Sequence, residues 1–123
     1  MVKRVAITWR KQPENHDYPA AESYLRLLYT NRAAASLVTR LRRAPIVEFK
    51  AKDLFRASGL SLLGIGNSHV KKDQANIRSR TALSPLLLAR MEDHSKVIIA
   101  DGYHRLCAVY SFNKDALIPC KIV

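Results

Sequence analysis

The sequence predicts an α+β domain that begins with a helical hairpin, and three observations predict it. Apolar residues recur at helical spacing in two consecutive segments between Asp17 and Arg43, and after Pro45 the texture changes to short apolar runs separated by short polar helices. The chain is 123 residues long with 48% hydrophobic residues and only 4 Gly and 5 Pro, enough apolar side chain for one core and too little turn-former for a disordered or collagen-like chain. A domain of this length buries roughly two-thirds of the surface its unfolded chain exposes, so it needs neither a metal nor a disulfide to fold.

The elements follow in order. From Asp17, Ala21, Tyr24, Leu25 and Leu28 fall at i, i+3, i+4 and i+7, with Pro19 in the first turn, where a missing N–H is harmless. A turn at Tyr29–Asn31 leads to a second helix capped by Asn31, in which Ala34, Leu37, Val38 and Leu41 repeat the spacing. Arg40, Arg42 and Arg43 crowd its C-terminal end, where the helix dipole favours cations, and Pro45 ends it. Ile46–Phe49 suits a short strand, and Lys52–Ser58 a short helix stopped by Gly59. Leu60–Asn67 carries Gly64 and Gly66 and reads as a ligand-contacting loop ahead of a polar helix from about His69 to Arg78. Leu86–Ala89 and Val97–Ala100 are continuous apolar runs around the turn-like Glu92–Ser95, as expected of two buried strands joined by a hairpin. Tyr103–Phe112 then suits a helix and Ile118–Val123 a last strand. The segment before Asp17 is the one candidate linker, with Trp9 expected to pack on the domain.

Charge and cysteine usage bound the function. Lys and Arg number 21 against 10 Asp and Glu, a formal net charge of +11, which invites a polyanion because cations that neutralise phosphates release counterions. The excess is +6 up to Lys50 and +5 beyond it, so neither half is a basic tail. Arg42 and Arg43, with Lys71 and Lys72, are the candidate anion surface, and a solvated basic face is the competing reading. No aromatics interleave with these clusters, which disfavours a single-strand stacking platform. Cys107 and Cys120 have no metal-ligand spacing, His94 has no second His or Cys beside it, and no metal site is read from the sequence. Without a signal-like leader or a stretch approaching about 20 apolar residues, the expected location is the cytoplasm, away from membranes.

The most informative segment is Asp101-Gly102-Tyr103-His104-Arg105, where an apolar strand passes through a glycine into a helix. The first amides of a helix point outward unpaired and attract an anion, Arg105 offers a planar fork suited to phosphate, and Gly102 lets backbone approach a ligand closely. His104 suits donation to a phosphate oxygen or proton transfer, and Asp101 suits orienting His104 or Arg105 or holding Mg²⁺ through water. The plainer alternative is structural: Asp101 as a helix cap, His104 as a hydrogen-bonded histidine, and Arg105 as the ion-pair partner of Asp101.

On these residues the stretch from about Ile46 to Val123 resembles the ParB/sulfiredoxin superfamily, including the ParB N-terminal-like domain. The resemblance rests on the order of elements, the Ser-Pro-Leu-Leu-Leu segment Ser84–Leu88, the strand ending Ile-Ile-Ala-Asp-Gly-Tyr-His-Arg (Ile98–Arg105) and the terminal Ile-Pro-Cys-Lys-Ile-Val (Ile118–Val123). The whole chain is also similar to small bacterial proteins described as ParB-like. The resemblance implies a small mixed sheet with surrounding helices over residues 46–123, the arm and hairpin of residues 1–45 packing on it as one structural unit. It also implies that Gly102, His104 and Arg105 hold nucleotide phosphates. Sulfiredoxins carry a cysteine where this chain has Tyr103, so sulfiredoxin activity is not expected, and Cys107 reads as a small buried residue. The helix-turn-helix that follows this domain in chromosome-partitioning ParB proteins is not in the sequence.

Free-serine kinases of the superfamily share a similar Asp-Gly-His-His-Arg turn and place a carboxylate base upstream. The upstream region here reads Asn67-Ser68-His69-Val70-Lys71, which makes His69 the candidate base, with Glu48 and Asp73 weaker ones. The expected function is binding of a nucleotide, with Mg²⁺, or of another phosphorylated small molecule at Asp101–Arg105, extending to phosphoryl transfer with His104 and His69 as catalytic residues. The alternative is a non-enzymatic module that binds DNA non-specifically, or a protein, through its basic face. The Tyr- and Leu-rich hairpin stripe also suggests a homodimer.

Overall fold

A computed structural model describes residues 6–62 and 67–123. Its elements run α1 (Asp17–Leu25), α2 (Asn31–Arg43), β1 (Val47–Lys50), α3 (Ala51–Ser58), α4 (Ser68–Arg78), β2 (Leu86–Arg90), β3 (Val97–Asp101), α5 (Tyr103–Phe112) and β4 (Leu117–Ile122). The four strands form one mixed sheet in the order β1-β4-β2-β3. β1 pairs antiparallel with β4, β2 pairs antiparallel with β3, and the central β2–β4 pair is parallel. The chain is therefore α+β, as expected.

Both faces of the sheet are covered, which is why β2 and β3 read as unbroken apolar runs rather than alternating ones. Leu87, Ala89, Ile98 and Ala100 face the hairpin, packing on Ala21, Leu25, Ala34, Val38 and Leu41. Leu86, Leu88, Ile99, Ile118 and Cys120 face α3, α4 and α5. The hairpin thus closes one face of the sheet, and three helices close the other. Among the described residues no helix is long and apolar enough to cross a membrane.

Several boundaries move for identifiable reasons. α1 ends at Leu25 because the chain tightens there: Leu27 N–H bonds to Tyr24 O and Leu28 N–H to Leu25 O, both at 3.0 Å. Leu28 consequently leaves the predicted stripe and is 52% exposed, and Tyr24, still within α1, is 43% exposed. The cap of α2 is Thr30, whose hydroxyl accepts from Ala33 N–H, one residue before the predicted Asn31. Gly59 ends α3, as expected, in the left-handed conformation at a φ of 67°. The Asn67 side chain accepts from the N–H groups of His69 and Val70 and so starts α4 at Ser68. Gly64 and Gly66 of the expected ligand-contacting loop lie outside the described residues.

The described part of the segment before α1, residues 6–16, packs on the domain. Trp9 bridges to Leu83, with Arg10 N–H donating to Leu83 O and Leu83 N–H to Thr8 O, both at 2.8 Å, and the indole lies against the helical-face core. This strap carries Glu14 and His16 to the end of the sheet where α5 begins.

Candidate functional site

At the C-terminal end of β3 the chain turns through Gly102 at a φ of 108° into α5. A Cβ on Gly102 would lie 2.7 Å from Leu86 Cγ and 2.9 Å from an Arg105 guanidinium nitrogen, so the turn requires glycine for its backbone and for its space. Beside it opens a cleft of about 480 Å³. Four parts of the chain line it: the strap before α1 with Glu14, His16 and Asp17; α4 with His69, Lys72, Asp73 and Asn76; the 81–84 segment; and Asp101, Gly102, His104 and Arg105. The volume lies within the usual range of small-molecule sites, roughly 300–1,000 Å³.

Arg105 is committed inside this cleft. Its Nη2 donates to Asp101 Oδ2 at 2.9 Å and to Pro85 O at 3.5 Å, and lies 4.0 Å from Asp17 Oδ2. Its Nε is buried without a hydrogen-bond partner among the described residues. The structural pairing that sequence reasoning set beside the phosphate reading is therefore present, whereas Asp101 does not cap α5, whose first residue follows Gly102 with no side-chain cap. Burial raises the Asp101 carboxyl above its ordinary value against the opposing pull of Arg105. Asp17 is 3% exposed, and its Oδ2 accepts from the Ser84 hydroxyl and from Glu14 N–H.

The other side of the cleft is built by α4 and α5. The rings of His69 and His104, 35 positions apart in the sequence, meet with centroids 4.8 Å apart and planes tilted by 40°. Burial, with His69 beside it, lowers His104 below the ordinary histidine value, so that the neutral imidazole is favoured. Burial raises Asp73, in spite of the nearby Arg105 and His104. Lys72 completes this wall.

The remaining candidates scatter. The Tyr103 hydroxyl donates to Ser61 O, and Tyr103 is not among the residues lining the cleft. Lys71 is exposed outside the cleft, and Arg42 and Arg43 lie on α2. Arg42 stacks over the Tyr18 ring at 4.4 Å, and its backbone oxygen accepts from the buried Lys121 ammonium at 2.9 Å. The four expected anion-surface cations are thus not one surface. Glu48 is exposed on β1 and does not line the cleft. His94 is exposed in the β2–β3 turn, and both cysteines are buried, Cys120 with its thiol pushed up to about 12 by burial.

Sequence reasoning missed Glu14, His16, Asp17 and Ser84. The signal was there in Glu14-Asn15-His16-Asp17, three ligand-type side chains within four residues, but Glu14 and His16 fell in a segment that looked like a linker and Asp17 read as the start of a helix. No protein-family model, curated protein or solved structure matches the chain.

Proposed function

We propose that the cleft binds a nucleotide or another phosphorylated small molecule, with the phosphate held between the N-terminus of α5 and Lys72. The observation that carries this reading is the convergence of that helix N-terminus with Lys72, His69, His104 and Arg105 on one cleft of about 480 Å³. Outward amides at Tyr103 and His104 favour an anion, and Gly102 lets a ligand approach the backbone. The ParB/sulfiredoxin-like assignment belongs to the same proposal, and the strand–Gly102–helix junction supports it.

The reading extends to phosphoryl transfer. A neutral His104, or His69 beside it with its ring centroid 4.8 Å away, is suited to take the proton of an acceptor hydroxyl as its oxygen bonds to phosphorus and the bond from phosphorus to the leaving phosphate oxygen breaks. Lys72 would offset charge on the transferring group.

Thermal unfolding with ATP, ADP, CTP and GTP, each with and without Mg²⁺, tests the proposal. A ligand at 100 times its Kd adds about 2.7 kcal/mol to folding, a shift of several degrees at this size. The expected result is a selective shift that Lys72→Ala and His104→Ala reduce and the Arg42→Ala/Arg43→Ala double variant keeps. A shift lost only in the double variant would instead favour the basic-face module, and no shift in folded protein would overturn the proposal.

A further inference from the structure

We propose that Glu14, His16 and Asp17 form a divalent transition-metal site that opens into the cleft. Among the described residues this is the group of three or more His, Cys, Asp or Glu side chains whose ligand atoms come together, all within 4.8 Å of one another. His16 Nε2 lies 3.0 Å from Glu14 Oε2 and 3.3 Å from Asp17 Oδ1. Ligands bound about 2.1 Å from one ion stand about 3.0 Å apart at a right angle and about 3.4 Å apart at a tetrahedral angle. Both His16 distances therefore suit neighbouring ligands in one coordination shell, and the carboxylates, within 4.8 Å, would close to about 4.2 Å or less around a shared ion.

The backbone sets this spacing. A turn closed by Asp17 N–H to Glu14 O, at 3.0 Å, places the three side chains together where the strap meets α1. The strap itself is pinned to the sheet through Trp9 and Leu83. Asp17 is held from outside the group: the Ser84 hydroxyl donates to its Oδ2 and the Arg105 guanidinium stands 4.0 Å from the same oxygen, leaving Oδ1 toward His16. Ligating carboxylates are oriented by outer hydrogen bonds of this kind.

An ordinary ion pair accounts for less. The His16 side chain is 75% exposed, and an exposed imidazolium gains little from carboxylates, whereas Asp17 is nearly wholly buried. One imidazole nitrogen and two carboxylate oxygens suit Mn²⁺, Co²⁺ or Zn²⁺ better than Mg²⁺, which prefers oxygen alone. The two carboxylates balance the charge of such an ion. All three residues line the cleft, so the open coordination positions would face the space that Lys72 and His104 share. The ion would be positioned to meet a phosphate oxygen there; that last step rests on the proposed function, and the metal site itself does not.

Titration of the apo protein with Co²⁺, followed by its visible absorption and by competition with Zn²⁺, tests the site without any nucleotide. One saturable ion per chain is expected, with His16→Ala and Glu14→Gln weakening it about tenfold or more. His94→Ala and His69→Ala should leave it unchanged. Because His16 and Glu14 are not core residues, metal-free unfolding temperatures close to wild type will show that both variants fold. The absence of saturable Co²⁺ binding, or binding that survives His16→Ala and is lost in His69→Ala, would overturn the proposal. Co²⁺ binding without any nucleotide effect would leave the metal site standing and remove only the phosphate reading.

Discussion

The cleft and the outer surface of α2 carry charge in opposite ways. The C-terminal end of α2 displays Arg40, Arg42 and Arg43 to solvent, and these account for much of the local excess in a chain of net charge +11. The cleft sets four carboxylates, Glu14, Asp17, Asp73 and Asp101, against Lys72 and Arg105, with three histidines between them. The basic surface is solvated and its ions are free to be screened, whereas Asp17, Asp101 and Arg105 in the cleft are largely buried and hold one another in place. A large net charge therefore identifies neither the site nor its ligand. In this molecule the convergent chemistry lies where carboxylates outnumber Lys and Arg, which is a reason for a phosphate to arrive with a cation.

The largest test of that contrast is Gly102→Ala. Left-handed backbone and a Cβ 2.7 Å from Leu86 Cγ should together cost about 4 kcal/mol, read from urea unfolding. A loss under 1 kcal/mol would mean the turn is not the rigid base of the cleft. Next comes Asp101→Ala, which leaves the largely buried Arg105 without its 2.9 Å partner and should cost about 3 kcal/mol. On the other region, Arg42→Ala removes a stack over Tyr18 and an exposed charge, and about 0.5–1 kcal/mol is expected from the same measurement. Equal losses for Asp101→Ala and Arg42→Ala would erase the distinction between the two regions.

The smallest effect is one of pH. His104 has its folded value depressed, so the folded state binds fewer protons than the unfolded state below the ordinary value of 6.5. Its contribution is fully present above pH 6.5 and is lost as pH falls through the depressed value. Asp73 and Asp101, raised from 3.8, act in the opposite sense, their cost appearing as pH rises through their folded values. Comparing wild type with His104→Gln isolates the histidine: wild type should lose stability relative to the variant between pH 7 and 5. A difference that does not change with pH would contradict the burial of His104.

Much of this architecture was legible because local signals and tertiary packing agree. Gly59, Pro45 and the apolar run Leu86–Ala89 each carry one strong preference, and the fold uses it. Leu28 misled because helical spacing says nothing about where the chain leaves the helix axis. Asp101–Arg105 stood out because five informative residues adjoin in sequence. Asp17 did not, because its significance comes from Ser84 and Arg105, 67 and 88 positions away. The same holds for His69 with His104. Nor does the sequence show that Lys121, a charge within the terminal strand, is 3% exposed, because the carbonyl that accepts from its ammonium comes from Arg42 at the end of α2.

The proposed ligand would sit on the N-terminus of α5 and not on the basic face. Amide chemical shifts of the ¹⁵N-labelled protein, followed through a titration with the nucleotide and metal that give the largest thermal shift, read both regions at once. The expected result is saturable movement of the Gly102–Arg105, His69 and Lys72 amides while those of Arg40–Arg43 stay still. Movement confined to Arg40–Arg43 that disappears with added salt would contradict it.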